Sequence, residues 1–188
     1  MKVSREAAAQ TRERILESAG ELFREKGFDG VGVADIMKQA GLTHGGFYGH
    51  FTSKDDLAAK VVSTAQPGNS RLWETDGASA GPERLAAFLD AYLSPKHRDH
   101  PGGGCVLAAL GADVAREPNP VREAFTGAVR EKLGKLAAMI PGRNKAAQRR
   151  KALATMAGIV GALTLARAVT DPALSNEFLA AAIETFGA

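Results

Sequence analysis

GVADIMKQAGLTHGGFYGHFTSK, residues 32–54, is the stretch that decides the fold. Ile36, Met37 and Ala40 give its first half one apolar side at helical spacing. Gly41 has no Cβ and accepts the left-handed conformation that ends a helix. Thr43 stands where its hydroxyl would cap a following helix. Phe47 and Phe51 lie at i and i+4, so both rings share a face and can pack on a partner helix. Gly45, Gly46, Tyr48 and Gly49 fall opposite them. The spacing predicts helices over 33–40 and 43–50 joined by a glycine turn. That is a helix-turn-helix, whose second helix enters the DNA major groove.

The second of these helices is a poor helix by composition. Each of its three glycines costs about 1 kcal/mol relative to alanine, so packing of the two Phe rings has to hold it. Small residues let the backbone approach DNA closely, but they leave few side chains to read bases. His44 and Tyr48 are the main candidates, and neither makes the bidentate contacts that discriminate best.

Residues 8–26 predict the preceding helix, with Ile15, Ala19, Leu22 and Phe23 as its stripe and Gly27 as its stop. Arg5, Arg12 and Arg14 lie near its start. Arg12 is a candidate phosphate contact; the alternative is a solvated face balanced by Glu13 and Glu17. After the connector FDGVG and the central stretch, Ser53 with Asp56 resembles a capping box opening a fourth helix. Lys54 at that helix start is placed to meet a phosphate alongside exposed backbone N–H groups.

Three pieces in this order carry a resemblance: TRERILESAGELFREKGFDG, VADIMKQAGLTHGGFYGHF and SKDDL. Residues 11–62 resemble the DNA-binding domain of the TetR family of transcriptional regulators. The run Phe47-Tyr48-Gly49-His50-Phe51 followed by Ser53-Lys54 is its most diagnostic part. The resemblance implies DNA contacts by Tyr48, His50 and Lys54, and a recognition-helix start at Thr43 and His44. One departure is Val31-Gly32, where many members carry Thr and Ser. A hydroxyl cap is missing there, although glycine is an acceptable N-cap.

Beyond residue 66 the chain predicts a polar loop over 67–82 containing Trp73, then helices over 83–94, 105–116, 121–139, 144–169 and 173–186. HRDHPGGG reads as a loop; its His97 and His100 lack the partners a metal site needs. Residues 152–166 are apolar almost all round and predict a buried helix. The resemblance implies that the last two helices pair across a two-fold axis in a homodimer. Ala154, Gly158, Gly161, Leu165, Phe178 and Ile183 are the interface candidates. Five bases, Arg143, Lys145, Arg149, Arg150 and Lys151, read as solvated surface. Phe88, Tyr92, Cys105, Leu110, Phe125 and Met156 are candidates to line a ligand pocket. Cys105 stands at an expected helix start, where a thiol gains reactivity; the resemblance permits an electrophile or redox sensor there, and the alternative is a small buried apolar residue.

Composition sets outer bounds. The 188 residues are 45% hydrophobic and 24% charged, as in an ordinary globular protein. Net charge is +3, while residues 1–66 hold nine basic and nine acidic side chains; between Ile36 and Lys54, however, no acid occurs. One cysteine excludes an internal disulfide. Neither a signal-peptide pattern nor a run long enough to span a bilayer is read, which predicts a cytoplasmic protein that engages no membrane. The expected fold is all-α, with a three-helix helix-turn-helix domain at 1–52 and a helical ligand-binding and dimerisation bundle at 53–188. The expected function is a regulator, most simply a repressor, on palindromic double-stranded operator DNA. A small molecule or an electrophile would release it, and no cofactor is required. Rival readings are a non-specific architectural DNA binder and a helical enzyme, for which no P-loop, dinucleotide or metal motif is present.

Overall fold

The computed structural model describes residues 5–63, 73 and 81–187. Those residues form nine α-helices and two 3₁₀ segments, with no strand among them. Helix α1 is Arg5–Lys26, α2 Val33–Gln39 and α3 Lys54–Ser63, with the 3₁₀ segment His44–Gly49 between α2 and α3. Then follow α4 (Pro82–Tyr92), α5 (Pro95–Asp99), the 3₁₀ segment Pro101–Gly103, α6 (Val106–Val114), α7 (Asn119–Met139), α8 (Lys145–Ala168) and α9 (Pro172–Gly187). The loop expected over 67–82 lies outside the described residues apart from Trp73 and its last two positions.

The head is built as its apolar pattern requires. Ile15, Leu16, Ala19 and Phe23 of α1, Ile36 and Met37 of α2, Phe47, Phe51 and Leu57 are all buried in one continuous core. Helix α3 packs on both α1 and α7, so it joins the head to the body. Its start is capped as expected: the Asp56 N–H donates to Ser53 Oγ at 3.0 Å. The return bond differs, because the Asp56 carboxylate takes the N–H of Thr52 rather than that of Ser53, at 3.2 Å.

Three expectations change. HRDHPGGG is not all loop. Ser94 caps α5 by accepting the His97 N–H, and Pro95 occupies the first helical turn, where its missing N–H costs nothing. Helix α8 is not buried all round. Ala152, Thr155, Met156, Ile159, Ala162, Leu163 and Ala166 face the core, but Leu153 is 47% exposed and Leu165 48%. Within one chain α5, α6, α7 and α9 cover only one side of it. By length and composition alone α8 could cross a bilayer, a property that core helices of globular proteins share. The third change concerns Gly158. A Cβ there would sit 2.2 Å from the Phe186 ring, so this glycine makes room for the chain's own last helix rather than lying on the free face.

Candidate DNA-binding surface

The turn between α2 and the recognition segment rests on Gly41, whose φ of +68° favours glycine. Arg14 of α1 reaches across and donates to the carbonyl of Ala40, tying off the end of α2. At the other end the Asp35 carboxylate accepts the Gly32 N–H at 3.0 Å, so the chain compensates for the hydroxyl it lacks. The recognition segment itself is 3₁₀, not α, and spans His44–Gly49. Three glycines in six residues explain this: the α form has little intrinsic support, and short 3₁₀ turns are the common alternative. Thr43 stands at the N-cap position, but its hydroxyl makes no cap hydrogen bond. The tie there is backbone, from the Gly46 N–H to the Thr43 carbonyl at 3.0 Å.

Phe47 and Phe51 hold the segment down as their spacing predicts. Their rings stack with centroids 5.7 Å apart and both are buried. Tyr48 projects outward, 67% exposed, with its ring edge on Phe47 and His44 beside it. Gly45 and Gly49 have nothing within 4 Å of where a Cβ would be, so the outer face between them is bare backbone. Gly46 differs: its Cβ would touch Met37 at 3.5 Å, so it belongs to the inner side. His50 and Lys54 are half-buried at the far end of the segment. Arg12 lies with its guanidinium carbon 4.9 Å from the Phe51 ring centroid, a cation–π contact that orients it at the head's edge. Thr43, His44, Gly45, Tyr48, His50, Lys54 and Arg12 therefore gather round the recognition segment, and no acid lies between Ile36 and Lys54.

Because its Cβ is unobstructed, Gly45→Ala is expected to leave the melting temperature unchanged or slightly raised. Operator affinity should fall about tenfold, the effect of one steric or lost contact at a base edge. A gel shift with the variant at equal or tighter affinity would count against close backbone approach.

The body holds a second cluster, less legible in sequence. Cys105 is fully buried and stands at the N-cap position of α6 without a side-chain cap bond. Its N–H donates to His97 Nε2 at 2.9 Å, while His97 Nδ1 lies 2.6 Å from the Tyr92 carbonyl and donates to it. The ring is thus a neutral imidazole stapling α4 to α6, and a Cβ on Gly104 would strike it at 2.7 Å. Burial is the main reason its pKa lies below the ordinary histidine value. The unfolded chain therefore binds the proton more readily. Stability from this group is complete above pH about 6.5 and is lost as pH falls below that. The expected result is a melting temperature that drops on acidification through this range, with the drop reduced in His97→Gln. An equal drop in both proteins would contradict the assignment.

Phe88, Tyr92 and Trp73 form an aromatic stack beside this staple, with Trp73 4.7 Å from Phe88 and 5.8 Å from Tyr92. The Tyr92 hydroxyl lies against the Cys105 thiol without a partner of hydrogen-bond geometry. Burial, with that thiol beside it, holds the phenol well above its ordinary pKa. Trp73 Nε1 and Thr155 Oγ1 are likewise buried and have no hydrogen-bond partner among the described residues. Phe88, Tyr92, Cys105, Leu110 and Met156 are core residues, Phe125 is half-buried, and none of the six lines the three best-formed clefts among the described residues. Lys132, buried with its Nζ 6.0 Å from the Trp73 ring centroid, was not anticipated. A lysine one place before Leu133, in step with Val129 and Leu136 on the apolar side of its helix, was the available signal. No group of three or more metal-ligating side chains occurs among the described residues.

Residues 15–61 match the family model for bacterial regulatory proteins of the tetR family. Residues 81–182 match the model for the tetracyclin repressor-like C-terminal domain. The chain belongs to the TetR family. Among TetR relatives, the transcriptional regulator AcuR of Cereibacter sphaeroides is 28% identical over 123 residues, 64% of this chain and 56% of AcuR. The transcriptional repressor NemR of Escherichia coli K12 is 26% identical over 118 residues, 61% of this chain and 59% of NemR. The chain thus spans less than two thirds of the length of these curated relatives. The TetR fold extends further than the sequence match. The crystal structure of reduced E. coli NemR superposes with a TM-score of 0.74 at 22% identity, covering 94% of this chain and 95% of that one. A TetR-family regulator from Agrobacterium tumefaciens superposes with a TM-score of 0.73 at 25% identity, covering 95% and 98%.

Proposed function

We propose that the protein is a repressor that binds a palindromic operator as a homodimer and is released by a small ligand or by modification of Cys105. The observation that carries this reading is the bare, acid-free face of the recognition segment, with Tyr48 exposed between two unobstructed glycines. In the reading head, taken as residues 1–52 with Lys54 just beyond, Tyr48, His50, Lys54 and Arg12 supply phosphate contacts. Thr43, His44 and Gly45 face base edges, and Gly46 sets the segment's seat on α2. Each dimer carries two heads, which suits half-sites one helical turn apart.

In the body, taken as residues 53–188, the exposed apolar side of α8, with Leu153, Ala154, Gly161 and Leu165, supports pairing with a second copy. Phe178 and Ile183 of α9, both half-buried, border it. The effector site is assigned to the aromatic stack around Trp73, Phe88 and Tyr92, where buried donors lack acceptors. Leu110, Phe125 and Met156 are its apolar surround. Binding there, or chemistry at Cys105, would favour a conformation whose heads no longer match the groove spacing. Cys105 is buried, so a modifying agent, like a ligand at the stack, has to part the packing around it. That the NemR structure is of a reduced form supports keeping both arms. Oxidant titration of the operator complex separates them. Release of the wild type but not of Cys105→Ser assigns the thiol; equal release of both removes it.

A further inference from the structure

Three arginines line a cleft of about 610 Å³ where the end of α1, the Pro101–Gly103 segment and the α8–α9 corner meet. Arg98 is fully engaged. It pairs with Asp99 at 2.7 Å and donates to Ser175 Oγ at 3.0 Å and Asn176 Oδ1 at 2.8 Å. The other two are held differently, by neutral backbone alone. Arg24 Nε donates to the Gly102 carbonyl at 2.6 Å. Arg167 donates from Nε to the Arg98 carbonyl at 3.0 Å and from Nη2 to the His97 carbonyl at 2.7 Å. Each of these guanidinium groups keeps its Nη1 buried with no hydrogen-bond partner among the described residues.

Arg24 is only 7% exposed, although it is a full cation on the head's longest helix. Glu21 and Glu25 lie within electrostatic reach of it, but neither forms an ion pair with it. The carboxylate of Asp99 is taken by Arg98. A buried charged donor without an acceptor is among the costlier features a protein can keep. Two of them lining one cleft leave an unmet demand for negatively charged oxygen. The fork of an arginine suits carboxylate and phosphate geometry, and the carbonyl clamps pre-set both forks. Glu25 and Asp99 also line the cleft, so an anionic group has to sit on the Arg24–Arg167 side; Ala108, Ala109 and Ala166 give apolar wall for a small organic body behind it.

We propose that this cleft binds a small oxyanion, a carboxylate or phosphate group, between Arg24 of the head and Arg167 of the body. The site is separate from the aromatic stack and does not depend on the effector assigned there. An occupied site would tie α1 to α8 through the ligand; any effect of that tie on operator affinity rests on the repressor reading, but binding itself does not.

The test uses the full chain without DNA. Inorganic phosphate and, separately, acetate are titrated at ionic strength held constant with chloride, followed by calorimetry and melting temperature. Saturable binding of either is the expected result, and which of the two binds distinguishes a phosphate from a carboxylate ligand. Arg24→Gln and Arg167→Gln should each weaken it about tenfold or more, the loss of one charge-assisted hydrogen bond. Absence of saturable binding by both anions, or undiminished binding in both variants, overturns the proposal. Should either variant fail to fold, wild-type crystals soaked in selenate decide. An anomalous peak in contact with Arg24 and Arg167 supports the site, and none there at saturating selenate overturns it.

Discussion

Replacing Phe47 with alanine is expected to destabilise the protein by about 3–5 kcal/mol, the range for removing a fully buried aromatic ring. Phe47 is 0% exposed, stacks on Phe51 and carries Tyr48 on its edge. Its segment has little helical preference of its own, since Gly45, Gly46 and Gly49 each favour the unfolded chain by about 1 kcal/mol. No side-chain cap compensates, because the Thr43 hydroxyl is not bonded to the segment's N–H groups. Loss of the ring therefore removes the principal apolar anchor of the recognition segment. The melting temperature should fall by roughly 6–20 °C for a domain of this size, and operator binding should disappear with it. A fall of less than about 2 °C would show that the segment is held by something else.

Tyr48→Ala should do the opposite: leave the fold intact and damage binding. The ring is 67% exposed, so truncation removes little buried area and leaves the Phe47–Phe51 stack in place. On the outer face it is the largest side chain between two glycines that add no side-chain atoms. Its loss should weaken operator binding about 10- to 100-fold, equivalent to 1–3 kcal/mol. The way the loss distributes is informative. A phosphate contact weakens all sequences alike and lowers the salt dependence, whereas a base contact relaxes specificity at one position. Unchanged affinity at unchanged melting temperature would remove Tyr48 from the reading surface.

The head was legible because its signals are local. Gly41, the Phe47–Phe51 spacing and the Ser53–Asp56 cap all act within a few residues, and each appears in the structure. The choice of 3₁₀ over α in the recognition segment was not legible as such, though the glycine count already argued against a stable α-helix. In the body, helices over 83–94, 105–116, 121–139, 144–169 and 173–186 appear with ends shifted by a few residues, as fraying and capping dictate. What escaped was non-local. Gly158 resembles a small-residue contact for a second copy until Phe186, near the chain end, is folded onto it. His97 resembles a surface histidine until Tyr92 and Cys105 close on both its nitrogens. Arg24 lies at the end of an amphipathic helix like any solvated base; only the carbonyl of Gly102, 78 positions away, shows that it is buried. The six pocket candidates illustrate the same limit, since periodicity marks inward-facing positions without separating a lining from a core.

The most direct test of the central claim is a competition gel shift. Full-length protein is titrated against DNA from its own gene's upstream region and against random duplex of equal length, at one fixed physiological salt concentration. A sequence-specific regulator should prefer the former by ~10³ or more, with a bound species of two protein chains per operator. Equal affinity for the two duplexes would contradict it and leave a non-specific binder, however well the bare face of Gly45, Tyr48 and Gly49 fits the groove.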